Sequence, residues 1–318
     1  MKNIYLFGEC MIELMTTSQS NSSNSLSKTM KQSFAGDVFN TAVYLKRTFA
    51  DMKVNLVTAV GKDNFSLAMI QYFEHENIGT DLVFQSDSRI PGLYAIQLDD
   101  EGERSFTYWR ENSAARQVMQ HIGETATDTL SKGDMFFFSG ISLAVIEPSA
   151  RNNFWTMLGE LKSAGVKIVF DPNYRARMWD SQEQAKAQFE KAFELADIAL
   201  PGVDDFEQLY GLTTSQAVYD FCKAYQLEEL VIKNGEAGIF CYADRLAYHF
   251  SITPVKDVVD TTSAGDSFNG VYLGARSNGF TLSEAIELAS KTAGFVIQHH
   301  GAIVEQCAYQ HFIKEQTI

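Results

Sequence analysis

The chain has 318 residues, 45% of them hydrophobic, enough for one large core or two small ones. Lys and Arg total 26 against 40 Asp and Glu, a net charge of −14, which argues against nucleic acid or an anionic membrane surface as a bulk partner. Cys10, Cys222, Cys241 and Cys307 are scattered without CxxC or metal spacing, so reduced packing thiols and a cytoplasmic location are expected.

Met1 to Gly8 is a short apolar run met at once by Glu9, which is not the pattern of a signal peptide. Ile4 to Phe7 reads as a buried strand, and Gly8 to Leu14 reads as its continuation past a glycine. Glu9 and Glu13 in that stretch fit a solvated strand face. Ser18 to Ser27 is Ser/Asn-rich and expected to be an exposed loop. Gly36-Asp37 precedes an apolar period that runs through Leu45, a helix start that places Asn40 in the first turns. Asp37 and Asn40 supply an acceptor and an amide for sugar hydroxyls, or Asp37 caps the helix and Asn40 is solvated. Val54 to Val60 is a second buried strand, turning at Gly61-Lys62-Asp63 into a helix near Phe65 to Phe73.

Leu93 to Leu98 and Ser105 to Arg110 are β-rich runs flanking a polar, Gly-bearing turn, which predicts a hairpin inserted into an otherwise α/β chain. Tyr108 and Arg110 are two apart and share a strand face. A guanidinium flanked by the phenols of Tyr94 and Tyr108 suits a carboxylate. The same periodicity fits an aromatic strand pair on the core with Arg110 in solvent.

Met135 to Phe138 is the next strand, and its apolar surroundings are too short to span a bilayer. Pro148 to Lys162 is helical and closed at Gly165. Val166 to Phe170 is a strand ending in Asp171-Pro172-Asn173-Tyr174-Arg175-Ala176-Arg177. Polar residues at the carboxyl end of a parallel strand are where such sheets bind ligands, and Pro172 puts Arg175 on a loop. Ile198 leads a strand into a helix near Asp205. Glu229 to Lys233 is a strand before Asn234-Gly235-Glu236-Ala237-Gly238, a simple turn on its own terms. There is no Walker motif and no GxGxxG.

Asp260-Thr261-Thr262-Ser263-Ala264-Gly265-Asp266 opens a helix whose apolar face is Phe268, Val271, Tyr272 and Ala275. Partnerless amides and the positive end of the helix dipole make an anion site there, and small residues admit a phosphate close to the backbone. Asp266 beside it suits phosphoryl transfer to a hydroxyl, although an aspartate in this place also serves plain capping.

The Asp260–Asp266 string resembles the second signature of the ribokinase-like (PfkB) carbohydrate kinases, and Ala35-Gly36-Asp37 to Asn40 resembles the first, with Ala35 replacing a glycine. Gly8 to Leu14, Pro91 to Tyr94 and Thr107 to Arg110 resemble the acid-sugar branch of that family, the 2-keto-3-deoxygluconate kinases. The resemblance runs over about residues 3–305. It implies one α/β domain over 1–318, a doubly wound, mainly parallel sheet with helices on both faces and a small β lid from about 10–35 and 88–112. It implies ATP-dependent phosphorylation of 2-keto-3-deoxygluconate at its terminal hydroxyl. Asp266 would be the base, and Ser263, Ala264 and Gly265, with the Asp266 amide, the anion hole. Gly36, Asp37, Asn40, Tyr94, Tyr108, Arg110, Arg175 and Asp266 would bind the acid sugar. Asn173, Arg175, Lys233, Gly235, Gly238, Ala264 and Gly265 would bind ATP, with residues 293–301 near the adenine. The family's Asn-x-x-Glu metal motif is degraded to Gly202 and Asp205, leaving the Asp205 carboxylate for hydrated Mg²⁺. A potassium ion near Asp260 and Thr262 follows from the wider family, and the lid suggests a homo-oligomer contact. A fructokinase shares the scaffold but has no carboxylate for Arg110. A non-catalytic sugar-binding regulator would have no need of Asp266 as a base.

Overall fold

A computed structural model describes residues 2–16, 29–98 and 104–316. The loop expected at 18–27 and the tip of the hairpin therefore lie outside the described residues. In chain order the strands are β1 (Asn3–Phe7), β2 (Met11–Thr16), β3 (Met30–Ala35), β4 (Lys53–Val60), β5 (Gly79–Gln85), β6 (Leu93–Leu98) and β7 (Arg104–Trp109). Then follow β8 (Met135–Ser139), β9 (Lys167–Asp171), β10 (Ile198–Ala199), β11 (Glu229–Lys233), β12 (Ile239–Ala243) and β13 (Leu246–Phe250). Nine of them form one sheet in the order β13-β12-β11-β10-β9-β8-β1-β4-β5. Its pairs are parallel from β11 through to β5, and the β11–β12 and β12–β13 pairs are antiparallel.

The strand sequences dictate a sheet covered on both faces. Along β1, Ile4 and Leu6 enter one apolar cluster while Tyr5 and Phe7 enter the other. β8 divides in the same way, with Met135 and Phe137 on one side and Phe136 and Phe138 on the other. Period-two side chains that are apolar at every position need helices above and below. The helices Asp37–Thr48, Ala264–Ser277 and Leu282–Val296 cover the first face, and Arg151–Ser163, Gln182–Leu195 and Val203–Tyr210 the second. This is the α/β class expected from the alternating elements, in the doubly wound form that the family resemblance implied.

The remaining strands make a separate four-stranded sheet, β3-β2-β6-β7. It is a small separate sheet, and its strands fall within the segments 10–35 and 88–112. One detail differs: the first strand does not continue past Gly8. The Gly8 amide still reaches the Val57 carbonyl of β4 at 3.2 Å, its missing Cβ would fall 2.5 Å from the Val38 methyl, and β2 then starts the second sheet at Met11. Gly36 returns the chain against that crossing. A Cβ there would sit 2.4 Å from the Glu9 carbonyl oxygen, so only glycine fits. Arg110 follows the end of β7 and lies at the seam between the two sheets.

Candidate active site

Four aspartates converge where the parallel strands end. Asp171 closes β9, Asp37 opens the helix Asp37–Thr48, Asp266 is the third residue of Ala264–Ser277, and Asp205 lies in the first turn of Val203–Tyr210. Asp171 accepts from Asn269 Nδ2 at 2.7 Å and from Lys233 Nζ at 3.4 Å, and Lys233 also reaches Asn269 Oδ1 at 3.0 Å. Asp37 Oδ2 accepts from Ser139 Oγ at 2.6 Å and Asn173 Nδ2 at 3.1 Å. Asp266 Oδ2 accepts from Asn40 Nδ2 at 2.8 Å. Asn40 is buried, and its own Oδ1 accepts from the Gly36 amide at 3.3 Å. Neither aspartate caps its helix, and Asn40 is not solvated. The plain capping reading of the sequence therefore fails at both sites.

Burial sets the electrostatics. It is the largest cause raising the Asp266 carboxyl to about 7, reinforced by negative Asp37 and opposed by the Asn40 bond. Burial raises Asp37 as well, against the lowering effect of the Ser139 hydroxyl. Asp205 is raised to about 6 by burial and then by Asp171, with Arg175 and Lys233 pulling the other way.

The start of Ala264–Ser277 is built for an anion. Ser263, the preceding residue, takes a left-handed φ of 65°, and its buried hydroxyl has no partner. The Ala264 amide makes only a 3.3 Å turn bond to the Thr261 carbonyl, and the first helical bond runs from the Ser267 amide to the Ser263 carbonyl at 2.9 Å. The Gly265 and Asp266 amides between them have no protein acceptor among the described residues. A Cβ on Gly265 would stand 3.9 Å from Lys233 Nζ, so an ammonium flanks the same opening. Amides, helix dipole and ammonium together favour a phosphate-like ion. Asp260 braces the approach, its carboxylate accepting from the Thr262 amide at 3.0 Å and the Gly301 amide at 2.7 Å.

On the other side of Lys233, Gly235 and Gly238 hold φ values of 49° and 99° in the turn after β11. The Gly238 Cα approaches the Phe250 carbonyl too closely for a side chain. Asp205 accepts from the Tyr174 amide at 2.9 Å, and Arg175 Nη1 lies 3.6 Å from it. Asn173, expected beside the nucleotide, donates to Asp37. No group of three or more His, Cys, Asp or Glu side chains forms a metal cage among the described residues. Asp205 and Asp171 nonetheless repel one another, a donor set that fits a divalent ion keeping most of its waters.

The lid side departs furthest from the sequence reading. Glu9 and Glu13 are 2% and 3% exposed, so they are not a solvated strand face. Glu9 is ion-paired with Arg110 Nη2. Arg110 Nη1 meets the Met178 sulfur at 3.5 Å, while Arg110 Nε and Glu9 Oε1 are buried without partners. Arg110 is thus neither in solvent nor uncommitted. Glu13 accepts from the Tyr94 hydroxyl and from Ser33 Oγ at 2.8 Å. Burial and then Glu13 push the Tyr94 phenol far up, so it keeps its proton, and its hydroxyl is already engaged as a hydrogen-bond donor to Glu13. Tyr94 and Tyr108 face each other across β6 and β7 with rings stacked at 5.5 Å. The Arg177 guanidinium lies over the Tyr108 ring at 3.8 Å.

Sequence reasoning passed over Asp171, Ser139, Asn269, Glu9 and Arg177. A signal existed for Asn269, which is three residues past Asp266 on one helix. No such signal existed for Glu9, whose partner is about a hundred positions away.

The pfkB family carbohydrate kinase description matches residues 1–307. The chain is 37% identical to the 2-dehydro-3-deoxygluconokinase of Haemophilus influenzae over 99% of both chains. It is 37% identical to that of Dickeya dadantii over 95% of this chain and 97% of the relative. A solved E. coli structure, a putative ribokinase II in complex with ATP and Mg²⁺, superposes with a TM-score of 0.81 at 21% identity, covering 99% of this chain and 100% of the other. With the two signatures placed on helix starts that face one crevice, and matches spanning nearly the whole chain, this protein belongs to the pfkB family of carbohydrate kinases.

Proposed function

We propose that the protein is an ATP-dependent 2-keto-3-deoxygluconate kinase that phosphorylates the terminal hydroxyl, yielding the 6-phosphate and ADP. The substrate class follows the relatives, whose 2-dehydro-3-deoxygluconate is the same compound. The observation that carries the chemistry is Asp266, a carboxyl near neutrality beside two helix-start amides without acceptors. A base whose pKa lies near the working pH takes a proton most effectively, typically for ~10²–10⁴-fold in rate.

In this reading Asp266 accepts the proton of the attacking hydroxyl, and Asn40 holds its carboxylate in aim. The Gly265 and Asp266 amides, with the weakly held Ala264 amide, Ser263 at the turn and Lys233, stabilise the charge that gathers on the transferring group. Asp37, Gly36 and Asn173 line the sugar side. Gly235, Gly238 and Arg175 line the nucleotide side. Asp205 is the carboxylate for hydrated Mg²⁺. When bound, Mg²⁺ neutralises phosphate charge. The fold neighbour's ATP and Mg²⁺ support both ligands here. Asp260 and Thr262 are the place for a monovalent cation. The chain acts as one domain, 1–318, with the small sheet closing over the sugar. Trp109 and Phe106, 56% and 39% exposed on the edge strand β7, support a subunit contact through the lid. Four free cysteines fit a cytoplasmic protein.

The test is ADP release with ATP and Mg²⁺ on 2-keto-3-deoxygluconate, gluconate, fructose and ribose. Turnover confined to the keto-deoxy acid is expected. Turnover on fructose alone would keep Asp266 and remove the acid-sugar reading.

A further inference from the structure

The lid pocket poses a charge problem for an acid substrate. Arg110 is the cation expected to meet the substrate carboxylate, yet Glu9 already neutralises it, with side chains 12% and 1% exposed respectively. Glu13 adds a second buried carboxylate on the adjoining strand, and its acceptors are occupied by neutral donors, Tyr94 and Ser33. A substrate carboxylate placed here would therefore join two resident carboxylates and one cation. Burying such an excess of one sign is costly unless a further cation compensates it.

Arg175 is poorly placed for that task. Its Nη1 donates to the Tyr174 carbonyl at 2.8 Å and leans toward Asp205, on the metal side. Arg177 is two residues further on, in the turn Ala176–Met178. Its guanidinium stacks on Tyr108, whose ring stacks in turn on Tyr94, and no carboxylate lies within 4 Å of it among the described residues. The next residue, Met178, touches Arg110 through its sulfur. One short turn thus carries a guanidinium stacked on the aromatic pair and, next to it, the sulfur that touches the guanidinium paired with Glu9.

We propose that Arg177 is the second cation of the acid-sugar pocket, a specificity-determining residue whose charge is needed because Glu9 already balances the charge of Arg110. This rests on the acid-sugar reading above. Arg177 then shares the carboxylate with Arg110, and Tyr108 fixes its plane. The arrangement predicts a compensation that packing alone would not produce. Removing the Glu9 charge should release Arg110 and make Arg177 less necessary.

The experiment compares steady-state kinetics on 2-keto-3-deoxygluconate and on its methyl ester, which has the same skeleton without the charge. Wild-type, Arg177→Gln, Arg177→Lys, Glu9→Gln and the Glu9→Gln/Arg177→Gln pair are measured, with thermal melts on each. Arg177→Gln should raise KM for the acid ~10-fold, the scale of one charged hydrogen bond, with kcat little changed and the ester unaffected. Arg177→Lys should recover part of the loss, and adding Glu9→Gln to Arg177→Gln should recover most of it. Equal losses on acid and ester, or no recovery from Glu9→Gln in a variant that still melts cooperatively, would overturn the proposal. Wild-type protein that turns over a neutral sugar and not the acid would instead overturn the acid-sugar reading beneath it.

Discussion

Asp266→Asn should make this protein more stable and nearly inactive, and the stability gain should depend on pH. Burial and the neighbouring Asp37 raise the Asp266 carboxyl from an ordinary 3.8 to about 7. Below 3.8 the proton is bound in both the folded and the unfolded chain, and this group's contribution is fully present. As pH rises through 7 the folded protein must hold a charge that its site disfavours, and that contribution is lost. At 1.36 kcal/mol per pH unit, a displacement of about three units amounts to ~4 kcal/mol above pH 8, shared with Asp37, so a gain of ~2–4 kcal/mol is expected there. Asparagine keeps the shape and the bond from Asn40 after an amide flip, but carries no charge. Near pH 5 the gain should shrink to ~1 kcal/mol. Urea denaturation at the two pH values reads the difference, and ADP release reads the expected loss of ~10²–10⁴-fold in turnover. In the wild type, kcat/KM should rise with pH through about 7. A variant equally stable at both pH values, or one retaining turnover within tenfold, would refute the assignment of a strained general base.

Three further perturbations test the surrounding frame. Arg110→Ala leaves Glu9 buried without its counter-ion, so a loss of ~3–5 kcal/mol in urea denaturation is expected, and adding Glu9→Gln should return much of it. Asp205→Asn should raise the Mg²⁺ concentration for half-activity by ~10–100-fold. The wild type should need more Mg²⁺ as pH falls through about 6, where Asp205 takes up its proton. An unchanged Mg²⁺ titration would move the metal elsewhere. Gly36→Ala must push the Glu9 carbonyl aside, at ~1–3 kcal/mol in a thermal melt, and should lower kcat/KM because the shift passes to Asp37 and Asn40.

Much of this protein was legible along the chain because the relevant physics is local. The apolar runs at Ile4–Phe7, Met135–Phe138 and Val166–Phe170 carry the pattern of strands buried on both faces, and the small residues before Asp266 leave room for a close anion. The strand Gly79–Gln85 escaped notice because its burial is mixed and Asp81 interrupts it, so pairing with β4 rather than pattern makes it a strand. What depended on the tertiary structure was the state of the charges. Asp266 is an ordinary aspartate until the fold buries it and sets Asp37, more than two hundred residues away, beside it. Glu9 and Glu13 look like solvent-facing acids until Arg110, Tyr94 and Ser33 close over them. Periodicity records which face of an element is apolar. A buried carboxylate's energy is set by partners that only the assembled sheets bring within a few ångströms.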